Sequence, residues 1–382
     1  MRYTTAGESH GRALCAVVTG VPAGVPIEIA KIDADLARRQ KGYGRGGRQR
    51  IETDHATVLS GLRFGRTLGS PICLTVANRD WDNWLDVMAV SGQKPEGIRE
   101  TSPRPGHADL AGIERIGSDD TRDVLERASA RETAARVAAG GVAKAVLEAL
   151  GVTVRSYVEA IGDVSVARSD SSSVDYDAAS ESDVGCPDPA TASRMRDAVD
   201  AARSQGESLG GVFVVTASGL VPGLGGYAEA DQRIDAALGF ALLSIPAIKG
   251  VEIGEGFASA RLPGSRVHDE IRYDNERGYW RPTNRAGGVE GGMTNGETLV
   301  VRAAMKPIPT LMRPLKSVDI DTLEAVDASK ERSDVCAVPA AAVVGEAEVA
   351  FVLARAYLDA FGRFSLQDLL AAVDHYRARL KP

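Results

Sequence analysis

Two glycine-bracketed segments carry histidines that could move protons. Gly7-Glu8-Ser9-His10-Gly11 lies near the start, and Arg104-Pro105-Gly106-His107-Ala108-Asp109 lies well downstream. The chain has only five histidines in 382 residues, so two of them in such loops stand out. An imidazole titrates near neutrality, which suits it to proton transfer. Between the two loops, the stretch from Arg38 to Arg50 holds six cationic groups and no acid. The guanidinium fork takes a phosphate or carboxylate with two hydrogen bonds, so the pattern suits an anion held beside proton donors.

Further groups fit the same chemistry. Arg127-Ala128-Ser129 stands at the mouth of a strongly periodic helical segment, where free backbone N–H groups and the dipole invite an anion. The run Gly287 to Gly296 is too glycine-rich for a helix or strand, and it leads to Lys306-Pro307-Ile308-Pro309-Thr310. Such open backbone often approaches a ligand closely. Arg332-Ser333-Asp334 adds a cation and a carboxylate suited to a base role. No metal-ligand spacing accompanies these residues. The residues alone point to an enzyme acting on a small phosphorylated or carboxylated anion.

Three other patterns carry less. Gly7-Glu8-Ser9-His10-Gly11 matches the G-x-S-x-G of a hydrolase nucleophile elbow, but that elbow needs a strand before it and a helix after it. Here Ala13 to Val18 reads as strand. Gly42 to Gly47 and Gly223 to Ala228 resemble dinucleotide fingerprints, the first after a helix, the second between a strand and a helix. A flavin- or NADPH-dependent oxidoreductase is the alternative enzyme class that these loops permit. Arg45-Gly46-Gly47-Arg48 resembles RNA-binding RGG segments, though in a single copy. An RNA-binding protein is the non-enzyme alternative.

The elements that must position these groups show in the apolar pattern. Strands are expected at 13–20, 71–77, 152–161, 211–217, 251–254 and 298–304. A helix is expected at 130–150, with Ser129 and Glu132 spaced as a capping box and Gly151 placed to end it. Further helices are expected at 190–203, 228–243, 340–361 and 365–380. The serine- and acid-rich stretch 167–185 reads as a surface loop. Helices and strands do not alternate regularly, which favours an α+β layered fold in one domain spanning 1–382.

Composition bounds the class. A hydrophobic fraction of 44% and a charged fraction of 25% are those of an ordinary soluble globular protein. No apolar run is long enough to span a membrane, and the N-terminus lacks a signal-peptide core, so a cytoplasmic location is expected. The net charge of −7 argues against a protein built for nucleic acid. Cys15, Cys73, Cys186 and Cys336 are far apart and show no paired metal-ligand spacing, and disulfides are not expected.

Taken together, the segments resemble the chorismate synthase family. The resemblance rests on GESHG at 7–11, YGRGGRQRIE at 43–52, RPGHADL at 104–110, ERASARETAARVAAG at 126–140, IKGVEIGEGF at 248–257, AGGVEGGMTNGE at 286–297, KPIPT at 306–310 and RSDVCAVPA at 332–340. It implies an anti 1,4-elimination of phosphate from 5-enolpyruvylshikimate 3-phosphate to give chorismate, with reduced FMN and no net redox change. It also implies a β-α-β sandwich, with central helices between two antiparallel four-stranded sheets, assembled as a homotetramer.

By resemblance, His10 protonates the leaving phosphate and His107 protonates the reduced flavin. Asp334 assists deprotonation at the flavin N5. Arg39, Arg45, Arg104, Arg131 and Arg332 surround the substrate's phosphate and carboxylates. The family's flavin contacts fall on Arg127, Ala128, Ser129, Ala247, Gly291, Lys306, Pro307, Ile308, Pro309, Thr310 and Arg332. Arg39 and Arg45 also match positions assigned to NADPH, and the reductant is either NADPH or an external flavin reductase. The chain departs from the family's pattern in having Pro246 where many relatives carry an amide, and Arg115-Ile116 where they show Lys-Tyr.

Overall fold

The computed structural model describes residues 1–46, 53–168, 171–330 and 334–380. Its first sheet comes from the N-terminal part of the chain: β1 (Arg2–Ala6), β2 (Ala13–Thr19), β3 (Ala56–Ser60) and β4 (Ile72–Ala77). They pair antiparallel in the order β1-β2-β4-β3. Alternation in β2 is the reason: Leu14, Ala16 and Val18 are buried on one face, while Cys15 and Val17 are half-buried on the other.

The second sheet comprises β5 (Thr153–Ile161), β6 (Val164–Ser165), β7 (Gly211–Ser218), β8 (Ile248–Ile253) and β9 (Leu299–Met305). Its order is β8-β9-β7-β5-β6, antiparallel throughout. The expectation of two four-stranded sheets is corrected here to one of four and one of five. The additional strand arises because Gly162, at φ +58°, and Asp163 make a two-residue turn that folds the chain back on β5.

Nine helices lie among the described residues: α1 (Ile29–Gln40), α2 (Asp109–Ile116), α3 (Arg122–Ala128), α4 (Thr133–Ala149), α5 (Tyr176–Glu181), α6 (Pro189–Gln205), α7 (Ile234–Leu243), α8 (Val338–Phe361) and α9 (Leu366–Leu380). Helix α4 packs on β1, β2 and β4, α8 packs on β5 and β7, and the two helices touch each other. Small residues permit this. A Cβ added at Gly140 would lie 2.3 Å from the Ala347 Cβ, so only glycine lets α4 and α8 approach so closely. Helix α8 is buried on all sides over most of its length, as a central core helix must be.

Buried charge ties the layers. Glu346 on α8 accepts from Lys144 on α4, Arg38 on α1 and Ser156 on β5, each at 2.6 Å. Burial would raise its carboxyl, but Lys144 and Arg38 outweigh that and push it down to about 2.

Three local expectations are corrected. The capping box does not form, because Glu132 accepts from Arg136 and Thr5 instead, and Ser129 caps a 3-10 turn through the Arg131 N–H. The stretch 167–185 contains α5, capped by Asp175, which accepts from the Ala178 N–H. The helix expected at 228–243 is the shorter α7, preceded by a 3-10 turn. The close of α4 is as expected: Gly151 at φ +77°, with Val152 donating to the Leu147 carbonyl and Gly151 to that of Glu148.

Candidate active site

A cavity of about 1010 Å³ opens where the β1–β2 loop, the turn before α2, the α3–α4 junction, the segment after β9 and the start of α8 converge. Pockets that hold drug-sized ligands run to about 1,000 Å³, so this one has room for a cofactor and a small substrate together. Six cationic side chains and two carboxylates are among its lining residues.

His10 is fixed from two sides. Its main-chain N–H donates to Glu126 Oε2 at 2.8 Å, and its Nδ1 lies 2.9 Å from Oε1 of the same carboxylate. Trp84 stacks on the ring, with centroids 3.7 Å apart and planes 19° apart. Asn78 braces the loop by donating to the Gly11 carbonyl at 2.6 Å. Burial would raise the Glu126 carboxyl, but the bond from His10 and its charge, with Arg122 behind them, hold it below the ordinary range.

His107 is held likewise. Its Nδ1 lies 2.5 Å from Asp109 Oδ1, and Asp109 also accepts from Arg104 Nε at 2.8 Å. Arg104 NH2 stands 3.2 Å from the same ring nitrogen. An ionised carboxylate only accepts, so the shorter contact to Asp109, rather than the longer one to the guanidinium, assigns the proton to Nδ1. Burial would raise the Asp109 carboxyl, but the bonds from His107 and Arg104 outweigh it and hold it far below its usual range. Arg104 also donates to Thr310 at 3.1 Å, joining the turn to the segment after β9.

The arginines form one group. Arg131 donates to both oxygens of Asp54 at 2.7 Å and to Asn78 at 2.8 Å. Arg39 is buried beside it, donating to Thr133 and to the Ala130 carbonyl. Burial, with the nearby charges of Arg131 and Arg45, pushes Arg39 down to about 9. It stays charged at neutral pH, yet the cluster holds more positive charge than its carboxylates offset. Arg45 pairs with Asp334 at 2.7 Å, and its buried Nε has no partner among the described residues. A buried donor left in that state is costly and is relieved by an anionic ligand. Asp334 also accepts from the Gly46 N–H at 2.6 Å.

Most of the expected flavin contacts gather here as well. Ala128, Ser129, Ala247, Lys306, Ile308, Pro309 and Thr310 line the cavity. Three expected contacts do not. Arg127 turns its guanidinium onto the carbonyls of Thr5 and Gly7. Pro307 is exposed outside the lining, and Gly291 lies at the tip of the hairpin 289–294. Arg332 falls outside the described residues. Pro246 and Ala247, the latter at φ +68°, form part of an apolar wall with Ile308, Pro309 and Ala341. That wall beside cationic groups fits a planar ring system with an anionic tail. Ser129 donates to Ser9 at 3.2 Å within the same lining. Burial and the nearby Lys249 charge lower the Lys306 ammonium, which donates to the Gly106 carbonyl at 2.7 Å.

The alternative sites lose their donors. The N–H groups of Gly223 and Leu224 donate to Thr294, so that loop is consumed by the 289–294 hairpin and does not cradle a phosphate. Arg38, Arg39 and Arg45 point inward onto Glu346, Thr133 and Asp334, and Arg48 and Arg50 lie outside the described residues. Among the described residues there is no cluster of three or more metal-ligating side chains. Glu126, Asp109, Asp54, Asn78 and Trp84 were not legible as site residues. The available signal was chemical: a working imidazole needs an orienting acceptor, and Asp109 stands two positions from His107.

With this geometry in place, comparison with known proteins is informative. A family model described as chorismate synthase matches residues 1–358. The chain is 57% identical to the chorismate synthase of Symbiobacterium thermophilum, over 97% of each chain. It is 56% identical to that of Moorella thermoacetica, over 98% of this chain and 99% of the relative. A solved structure described as the crystal structure of chorismate synthase superposes with a TM-score of 0.81 at 40% identity, covering 100% of this chain and 98% of that one.

Proposed function

The chain belongs to the chorismate synthase family, lyases of the shikimate pathway, and from that premise we propose how its cavity carries out the elimination. The reaction breaks the C–O bond to phosphate, whose electron pair leaves with the anion. It also removes a hydrogen across the ring and forms a C=C bond. The single observation that carries the reading is a cluster of mutually repelling arginines, with a buried Arg45 Nε that has no partner among the described residues, lining one cavity with two carboxylate-held histidines.

In this reading Arg39, Arg45, Arg104 and Arg131 bind the substrate's phosphate and carboxylates, and family resemblance adds Arg332 to them. Fixed donors aimed at the departing phosphate act before any charge develops, which makes them the largest protein contribution. His10 donates a proton from Nε2 to the leaving group, while Glu126 holds its other nitrogen. His107, held by Asp109, would protonate the reduced flavin, the role that the family resemblance gives it. Asp334, paired with Arg45, would assist deprotonation at the flavin N5, the role that the family resemblance gives it. Reduced FMN, when bound, would supply an electron-rich ring that eases loss of the phosphate with no net redox change. The apolar wall of Ala247, Ile308 and Pro309 would take its ring, and Lys306 with Ser129 would take its polar edge.

The remaining assignments are of the same kind. One hydrophobic cluster running from Met1 to Tyr376 supports a single domain, and the packing of α4 on the first sheet and α8 on the second supports a β-α-β sandwich. No helix among the described residues is long and apolar enough to cross a membrane. A cytoplasmic homotetramer, with NADPH at Arg39 and Arg45 or an external reductase as the source of electrons, completes the reading by family resemblance.

The test is to add 5-enolpyruvylshikimate 3-phosphate to the full chain with dithionite-reduced FMN in the absence of air. Chorismate should form in many turnovers with no reductant consumed per turnover. Stoichiometric loss of reduced flavin would contradict the reading and favour an oxidoreductase.

A further inference from the structure

We propose that Glu126 is the positioning residue for His10: it accepts the Nδ1 proton and so keeps Nε2 as the nitrogen that delivers a proton to the leaving group. The proposal rests on the reading above and deepens it. Glu126 sits on α3, 116 residues from His10, and its carboxylate is 3% exposed. Three donors converge on it: the His10 main-chain N–H at 2.8 Å, the His10 ring at 2.9 and 3.1 Å, and Arg122 NH1 at 2.9 Å. Its own carbonyl accepts from the Ser9 N–H at 2.9 Å, so the whole residue clamps the histidine loop.

An ionised carboxylate only accepts, so the ring nitrogen facing it must donate. When an imidazolium gives its Nε2 proton to phosphate, the neutral ring that remains carries its proton on Nδ1. Glu126 balances the imidazolium before transfer and holds the Nδ1–H tautomer after it. The indole of Trp84 covers one ring face, and its own Nε1 donates to buried Asp80 at 3.1 Å. Rotation of the ring out of register is therefore opposed on its edge and on its face. A glutamine at 126 could turn its amide to donate to Nδ1, which would favour the neutral tautomer with the proton on Nε2. Proton donation from that neutral ring would leave an imidazolate, so the neutral ring is a far poorer acid than the imidazolium.

The experiment compares wild type with Glu126→Gln in the full-length protein labelled with ¹⁵N-histidine, and His10→Ala assigns the signal. Long-range ¹H–¹⁵N spectra of the substrate-free protein, taken at a pH where the ring is neutral, should show the His10 proton on Nδ1 in the wild type and a gain of the Nε2–H form in Glu126→Gln. Turnover of that variant with reduced FMN should fall about 100-fold or more in kcat, with KM within about threefold, as for loss of a general acid. Glu126→Asp, which keeps an acceptor, should recover part of both signals and serves if the glutamine variant does not fold. A Glu126→Gln protein with wild-type kcat, or one that loses kcat with the His10 tautomer unchanged, would overturn the proposal. The tautomer is read without turnover, so a wild type that makes no chorismate would refute the functional reading and leave this one standing or falling on the spectra.

Discussion

Arg45 and Asp334 pair at 2.7 Å in the lining of the cavity, so the group expected to bind anion and the group expected to assist deprotonation are joined. The pairing occupies Asp334 and one amino group of Arg45, while the buried Arg45 Nε has no partner among the described residues. Removal of the guanidinium would therefore act on binding and on the carboxylate together.

Arg45→Ala should raise KM for the substrate roughly 10- to 100-fold, which matches a charge-assisted hydrogen bond of about 1.5–3 kcal/mol. Arg45→Lys restores the charge without the fork, and should recover only part of the loss. Steady-state kinetics with saturating reduced FMN measures both. Unchanged KM in the alanine variant would remove Arg45 from the binding set.

His107→Ala should keep the fold and the flavin site but lose most turnover, because Asp109 and Arg104 still brace the turn through each other. Asp109→Asn should be worse for structure, since it disturbs Arg104 as well as His107. Flavin titration and thermal unfolding of the two variants separate these effects.

Gly140→Ala should lower stability by about 1–3 kcal/mol, as overpacking of a filled core does. The added methyl meets Ala347 and must force α4 from α8. A fall in denaturation midpoint, with residual kcat close to wild type in the folded fraction, is the expected result.

Glu346 makes stability depend on pH. Its carboxyl is pushed from the ordinary 4.5 down to about 2, so its contribution is fully present above pH 4.5 and disappears as pH falls through 2. The contribution is of order 3 kcal/mol. Denaturant unfolding of wild type and Glu346→Gln should differ most near neutrality and converge as the pH approaches 2.

The sequence exposed those parts of the molecule that depend on local pattern. Strand β2 is a continuous apolar run, α4 repeats apolar side chains at helical steps, and Gly151 ends that helix in the way glycine usually does. The two histidine loops were visible because glycines bracket them. Partners supplied by distant segments were not visible. Glu126 reaches His10 over 116 residues, and Asp54 reaches Arg131 over 77, distances at which no spacing rule operates. Adjacency misled at Arg127, whose neighbour Ser129 lines the cavity while its own side chain leaves it for Thr5 and Gly7. Capping spacing misled at Glu132, because Arg136 one turn later is a stronger partner than a main-chain N–H.

Phosphate release in a single turnover with pre-reduced FMN, excluded from air, tests the central claim most directly. With His10→Ala folded and binding flavin, release should slow by roughly 10²- to 10⁴-fold relative to wild type, the range for loss of a general acid. Release at the wild-type rate would contradict the claim that an imidazole held by Glu126 drives the departure of the anion.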